Sequence, residues 1–376
     1  KQLQIGIPKE SSFQENRVSL TPDSVGLLVA NGHSIIIEEG AGEASNFSDK
    51  EYIDKGAVLA YSKEEVFRSN FILKIEPPTK EELALMQRGQ ELISAVQMST
   101  QTADYFKTLM KKNITAFGFE FIKDKQDKLP IVRSMSEIAG NTAMLIAGEC
   151  LSNSNKGKGL MLGGISGLRP TNVVVIGAGT VGEYACRTSL GLGASVIAFD
   201  DSVTKLRRLQ NNINNRIATS TLQPKALGKA LKRADVVVAA LQIGDGKVPC
   251  IVSEEMVSEM KKGSVVVDVS IDQGGCFETS EVTSHKKPTF VKHGVVHYCV
   301  PNIASRVSRT ASMAVSNILT PILLRIAEEG GVEHAIRKHE CLRKGVYVCH
   351  SNLTNEILSI NFKLPFVDLD LIMASR

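Results

Sequence analysis

The stretch Val173–Asp201, VVVIGAGTVGEYACRTSLGLGASVIAFDD, restricts the fold more than any other part of the chain. An apolar run ends in Gly177-x-Gly179-x-x-Gly182, a helix-forming segment follows, and a second apolar run ends in Asp200, 23 residues beyond Gly177. Strand, glycine turn, helix and strand in this order build a βαβ unit that binds a dinucleotide. Gly177 permits the tight turn, Gly179 lets backbone N–H groups approach the pyrophosphate, and Gly182 lets the helix pack close to the sheet, with Ala178 and Val181 completing the loop. The phosphates are expected at the helix N-terminus, where unpaired N–H groups favour negative charge. Asp200 is placed to accept from the adenosine ribose 2′-OH and to repel a 2′-phosphate, so NAD is expected rather than NADP.

At 376 residues the chain exceeds what one core usually organises. Before the glycine motif, LQIGIP, HSIIIEE, NFILKIE, ELISAV and ITAFGFE read as strands, and TPDSVGLLVANG and TADYFKTLMKKN as helices, with Pro22 suited to a first helical position. A long helix is expected over RSMSEIAGNTAMLIAGECLSN, opened by the capping box Ser134-x-x-Glu137. After a glycine-rich connector, NVVVIG, SVIAFD, RIATST, DVVVAAL and SVVVDVS predict a second parallel sheet, and SRTASMAVSNILTPILLRIAEE another long helix. The expected fold is α/β, with two Rossmann-like parallel-sheet domains joined by two long helices. Residues 131–306 form the NAD domain, inserted into a substrate domain made of residues 1–130 and 307–376.

Composition narrows the partners. A net charge of +4 and dispersed Lys/Arg residues argue against nucleic acid; the cluster KLRRLQNNINNR reads as a solvated helix face. The seven cysteines include no Cys-x-x-Cys pair, and their odd number and irregular spacing fit a reducing compartment. Neither a long uninterrupted apolar run nor a signal peptide is visible, so a soluble cytoplasmic protein with no membrane partner is expected.

Ligands of parallel sheets bind at the carboxyl ends of strands, which directs attention to the polar residues there. Arg17 follows the first strand, Lys74 closes the NFILK run, Gln97 follows ELISAV and Glu120 ends ITAFGFE. An arginine and a lysine converging on one place would hold a carboxylate. In the second half, Asp272 lies just beyond SVVVDVS, where an acid could handle protons near a nicotinamide, and Asp268 within the strand reads as a structural hydrogen-bonding group. His293 and His297 have ligand-like spacing only on a helix, and their segment reads as strand, so no metal is expected.

The motifs ENRVSLTP, ILKIEPP, MSEIAG, GLMLGGISG, VIGAGTVGEYA, GSVVVDVSIDQGGCFETS and HGVVHYCVPNI, in this order, resemble the alanine dehydrogenase family, relatives of the NAD-binding subunit of proton-translocating transhydrogenase. The resemblance implies reversible oxidative deamination of L-alanine to pyruvate and ammonium with NAD, in a homohexamer. Carried over residue by residue, Arg17 and Lys74 hold the substrate carboxylate and polarise its carbonyl, Asp272 is the acid near the nicotinamide, and Asn302 lies beside the substrate and the ring. Ser136, Asp200, Lys205, Leu241 and Val269 fall at cofactor-contacting positions. The family motif has a histidine acid/base after the fourth of the predicted strands, preceded two residues earlier by a tyrosine; here Gln97 and Ala95 stand there, and glutamine cannot exchange a proton near neutrality. Two alternatives therefore stand beside the dehydrogenase reading: the hydride-donor component of a transhydrogenase, and an NAD-binding relative whose turnover is impaired by Gln97.

Overall fold

A computed structural model of the chain describes residues 1–153, 157–213, 217–242 and 247–374. It divides into two compact units, Lys1–Met135 with Val307–Arg376, and Ser136–Arg306. Strands β1 (Gln4–Ile7), β2 (Ser34–Glu38), β3 (Val58–Ala60), β4 (Phe71–Leu73), β5 (Glu91–Ser94) and β6 (Thr115–Gly118) precede the long helix Pro130–Leu151. They are followed by β7 (Asn172–Ile176), β8 (Ser195–Phe199), β9 (Ala218–Ser220), β10 (Val236–Ala239), β11 (Val265–Asp268), β12 (Thr289–Lys292) and β13 (Val295–Tyr298). Two short strands, β14 (Val346–Cys349) and β15 (Asn352–Leu353), come after the helix Ser308–Glu328. Of the RIATST segment, Arg216 lies outside the described residues, as do Asn214 and Asn215 of the basic cluster; the described helix Val203–Asn212 buries Leu206 and Leu209 and exposes Arg207 and Arg208.

The first sheet has the order β15-β14-β6-β5-β4-β1-β2-β3, the second β12-β13-β11-β10-β7-β8-β9. Each therefore reverses direction once, between β1 and β4 in the first and between β7 and β10 in the second, with all the strands around that point parallel. A crevice at such a reversal is where open α/β sheets bind ligands. The central strands are apolar throughout: β10 and the first three residues of β11 are valine or alanine and fully buried, as expected for strands covered on both faces.

Each of the expected parallel sheets also carries an antiparallel hairpin at one edge, which the sequence reading did not include. In the first, β14 runs antiparallel to β6 and β15 antiparallel to β14; in the second, β12 runs antiparallel to β13. Both hairpins turn over two residues with positive φ, His293 (53°) and Gly294 (76°) in one, His350 (47°) and Ser351 (63°) in the other. That geometry matches the twist of the paired strands, and antiparallel neighbours need no crossover helix.

The long helix also differs from expectation at its start. It begins at Pro130, whose fixed φ and missing N–H suit a first turn, and Ser134 sits one turn inside, donating to the Pro130 carbonyl at 3.0 Å rather than capping. The helix Ser308–Glu328 belongs to the first unit's core through Val315, Leu319, Leu323, Ile326 and Ala327. A window of its apolar segment Ile303–Glu328 reaches a mean hydropathy of 1.3, enough by length and composition to cross a membrane, and half of that window is buried. Such burial is what a core helix of a globular unit shows.

Candidate active site

The loop after β1 is held from below by a stripe of small hydroxyl residues at four-residue spacing on the helix Ser308–Glu328. Ser312 Oγ accepts from Val18 N at 2.9 Å and Ser316 Oγ from Thr21 N at 3.0 Å. This fixes the backbone that carries Arg17 at the reversal point of the first sheet. Arg17 is buried (9% exposed) and donates twice to Glu15, from Nε at 2.8 Å and from Nη2 at 2.6 Å. Its Nη2 also lies 3.5 Å from Glu76 Oε1, and its Nη1 lies 3.4 Å from Met135 Sδ. Glu76 follows β4, and the side-chain amide of Gln97, after β5, donates to its other oxygen.

Lys74 does not join this group, which corrects the expectation that it pairs with Arg17 on a carboxylate. Its side chain is 1% exposed and its ammonium donates to Glu10 at 2.8 Å and approaches Glu82 at 3.3 Å. Burial disfavours its charge, but Glu10 and Glu82 more than offset this, and its pKa is raised. A lysine enclosed between two carboxylates is occupied as a structural cation. The residue beside Arg17 is Glu76 instead. In the sequence Lys74 stands directly at the end of the apolar run, and the only signal for Glu76 is an acid two positions further on, between the strand and a Pro-Pro pair.

The two glutamates beside Arg17 are driven apart. Burial alone would raise Glu15, but the charge and hydrogen bonds of Arg17 prevail and bring its carboxyl down to about 2. Burial, then the hydrogen bond and charge of Glu15, push Glu76 up to about 8. Like charges this close cannot both ionise near neutrality, so the pair keeps one proton, on Glu76. Gln97 has φ 52°, in the left-handed region, and its backbone N–H donates to Glu120 at 2.9 Å, as does that of Val96. Glu120, itself raised by burial, thus shapes the loop that aims Gln97.

In the second unit the glycine loop occupies the reversal point between β7 and β10. Gly177 has φ 110°, and a Cβ there would stand 2.4 Å from the Ala240 carbonyl oxygen; one on Gly182 would stand 1.9 Å from the Gly177 oxygen. Gly179 precedes the helix Thr180–Gly191, supplies no side-chain cap, and faces open space. Val181 abuts the long helix, where a Cβ on Gly140 would meet its carbonyl at 2.4 Å. Asp200, 5% exposed at the end of β8, accepts from Ala178 N and Ser202 N, each at 2.8 Å. The carboxylate thereby ties the glycine loop to the next strand, and each oxygen keeps a second lone pair for a ribose hydroxyl. Lys205 is exposed on the helix that Ser202 caps, and its backbone N–H donates to Ser202 Oγ at 3.2 Å. These residues fit a bound dinucleotide.

After β10, Leu241 N donates to Ser270 Oγ at 2.9 Å, which binds this turn to the segment Val269–Gln273 after β11. Asp272 lies in that segment and accepts from Asn302 N at 2.9 Å, with Asn302 at φ 55°. Asp268 is fully buried and accepts from Cys276 N at 3.1 Å and Ser280 Oγ at 2.6 Å, a structural knot under Asp272. Ser136 is the first residue of this unit, on the long helix. His297 is buried between Thr279 (2.8 Å) and the Val295 carbonyl (3.0 Å), whereas His293 sits in the hairpin turn against Glu254 at 2.6 Å. Among the described residues no cluster of three or more His, Cys, Asp or Glu could hold a metal ion.

Two units of Rossmann strand order, one with a glycine loop and a buried acid at the nucleotide end, define a dinucleotide-dependent oxidoreductase class of fold and site. Residues 6–139 match the alanine dehydrogenase/PNT N-terminal domain and residues 143–356 the C-terminal domain of the same family, so the chain belongs to the alanine dehydrogenase/PNT family. It is 38% identical to the alanine dehydrogenase of Methanococcus maripaludis over 96% of this chain and 97% of that protein. It is 36% identical to that of Bacillus subtilis, over 96% of each. A solved L-alanine dehydrogenase superposes with a TM-score of 0.88 at 34% identity, covering 96% of this chain and 99% of that one. A transhydrogenase from Sinorhizobium meliloti (TM-score 0.79, 22% identity, 94% and 99% covered) shares the fold.

Proposed function

We propose that the protein is an NAD-dependent amino-acid dehydrogenase that interconverts L-alanine with pyruvate and ammonium. What carries this reading is the likeness to alanine dehydrogenases over both units, at 96% of the chain. NAD, when bound, accepts a hydride from the substrate Cα. Gly177, Ala178, Gly179, Val181 and Gly182 cradle its pyrophosphate, Asp200 takes its ribose hydroxyls, and Ser136, Lys205, Leu241 and Val269 complete its site. The placement of Asp200 supports NAD over NADP, since a carboxylate held by two N–H groups repels a phosphate. In the first unit Arg17 supplies a charge suited to a substrate carboxylate, and in the second Asp272 and Asn302 belong with the cofactor's site. Residues 131–306 act as the NAD domain inserted into the substrate domain of residues 1–130 and 307–376. A homohexamer free in the cytoplasm fits the family and the seven free cysteines.

The test is NADH formation by the purified protein with L-alanine and NAD alone. A steady rate supports the reading; NAD binding without turnover favours the second one, an NAD-binding relative with impaired catalysis. That second reading is motivated by Gln97 and by the engagement of Arg17 with Glu15 and Glu76. Activity only with an added NADP-binding partner would indicate a transhydrogenase component.

A further inference from the structure

We propose that Glu76 is the acid/base of the first unit, exchanging a proton with the amino acid or 2-oxo acid beside Arg17, with Gln97 as its positioning residue. The inference rests on the dehydrogenase reading above. Interconversion of an amino acid and a 2-oxo acid requires a proton to leave the substrate ammonium before its Cα can release a hydride, and a proton to reach the oxygen that departs in the reverse direction. Gln97 can do neither. The other buried carboxyls of these strand-end loops, Glu10, Glu15, Glu82 and Glu120, each have another task. Glu10 accepts from Lys74 at 2.8 Å and from Ile75 N at 2.6 Å. Glu82 accepts from Lys63 at 2.8 Å, Glu15 is fixed by Arg17, and Glu120 holds the backbone of Val96 and Gln97.

Glu76 differs in what it faces. From the loop after β1 come Glu15, Arg17 and, further off, Glu10; from the loop after β5 comes the Gln97 amide; on its own segment stands Lys74, turned to Glu10. The carboxyl is pushed up to about 8 by burial and by Glu15, so it carries its proton at neutral pH and can release it within the physiological range. Gln97 and Arg17 take one oxygen each, which fixes the plane of the group.

The proton steps balance. In amination, the carbinolamine formed from pyruvate and ammonia loses its hydroxyl as water when Glu76–COOH gives it a proton, leaving the iminium and Glu76–COO⁻. In deamination, Glu76–COO⁻ takes the proton of the water that adds to the iminium. The same carboxylate takes the ammonium proton of bound alanine at the outset and returns it to solvent before the second use.

The experiment uses the full chain, unmodified and as Glu76→Gln and Glu76→Asp, with three readouts: pH profiles of kcat/KM for pyruvate, NADH affinity, and infrared titration of buried carboxyl protonation with and without pyruvate. The unmodified protein is expected to lose amination activity above about pH 8 as Glu76 loses its proton. Glu76→Gln should lower kcat by roughly 10²–10⁴-fold, the worth of one acid/base group, abolish that limb and leave NADH affinity unchanged. Glu76→Asp should restore the limb at a shifted pH. A Glu76→Gln protein with the original rate and profile overturns the proposal. Absence of alanine turnover in the unmodified protein would instead defeat the dehydrogenase reading, and the titration then decides alone. A carboxyl that titrates near 8, disappears in Glu76→Gln and shifts on adding pyruvate supports proton exchange with the ligand; no such titration, or one indifferent to pyruvate, overturns it.

Discussion

The two sheets share a strand order around their reversal points, yet the two crevices are built from opposite materials. In the first, between β1 and β4, side-chain charges dominate: Glu15, Arg17, Lys74, Glu76 and Glu82 are buried there, and the Glu10 side chain is 6% exposed beside Lys74. In the second, between β7 and β10, the work falls to backbone, with three glycines, an uncapped helix start and a single carboxylate, Asp200, that accepts from two main-chain N–H groups. Topology decides where a ligand can sit, and loop chemistry decides which ligand it is. A charge cluster can be retuned by one substitution, since each buried ion depends on its neighbours. A glycine loop tolerates almost none, because the shape of the backbone is itself the binding surface.

The largest effect is expected where a buried charge loses its partner. Lys74→Met leaves Glu10 enclosed without its cation and should cost about 3–5 kcal/mol of stability, measured by urea unfolding; a cost below ~1 kcal/mol would mean that the lysine is not the structural cation described above. Next comes the backbone-built crevice. Gly182→Val drives a side chain into the Gly177 carbonyl, 1.9 Å from where its Cβ would stand, and should cost up to about 3 kcal/mol along with most NADH binding. Retention of NADH fluorescence quenching in that variant would break the contrast between the crevices. The smallest effect belongs to Asp200→Gly, which removes one charged acceptor worth about 1.5–3 kcal/mol: NAD affinity should fall roughly 10–100-fold while NADP affinity rises, read by parallel titrations. Equal use of NAD and NADP by the unmodified protein would contradict the role given to Asp200.

The contrast also explains what could be read from the sequence. The nucleotide crevice was legible because its signals are local: the glycine spacing, the valine runs of β7, β10 and β11, and the acid at the end of β8 are all fixed by the backbone conformation each residue must take. The charge cluster was not, since Lys74 and Glu76 are two residues apart on one segment and only tertiary neighbours decide which meets Arg17. The same holds for the small strands. β3 has three residues and β15 two, too few for periodicity, and the His350–Ser351 turn lacks the Asn-Gly or Asp-Gly pair that marks a tight hairpin. Ser134-x-x-Glu137 misled for a related reason: a capping pattern is chemically competent anywhere, and Pro130 four residues earlier already supplied a start.

The pairing of β14 with β6 joins Val346 to Phe117, and this has a consequence for how the protein is made. When β6 leaves the ribosome its outer edge has no neighbour, and the strand that covers it has yet to be translated. At about 5–20 residues per second the wait is roughly 10–50 s, during which an apolar strand offers free N–H and C=O groups to any passing chain. The segment Ser136–Arg306 is completed within that interval and can fold first. Newly made protein would therefore pass through a state with its nucleotide crevice finished and its first sheet still open along β6, the state in which a chaperone would have most to protect.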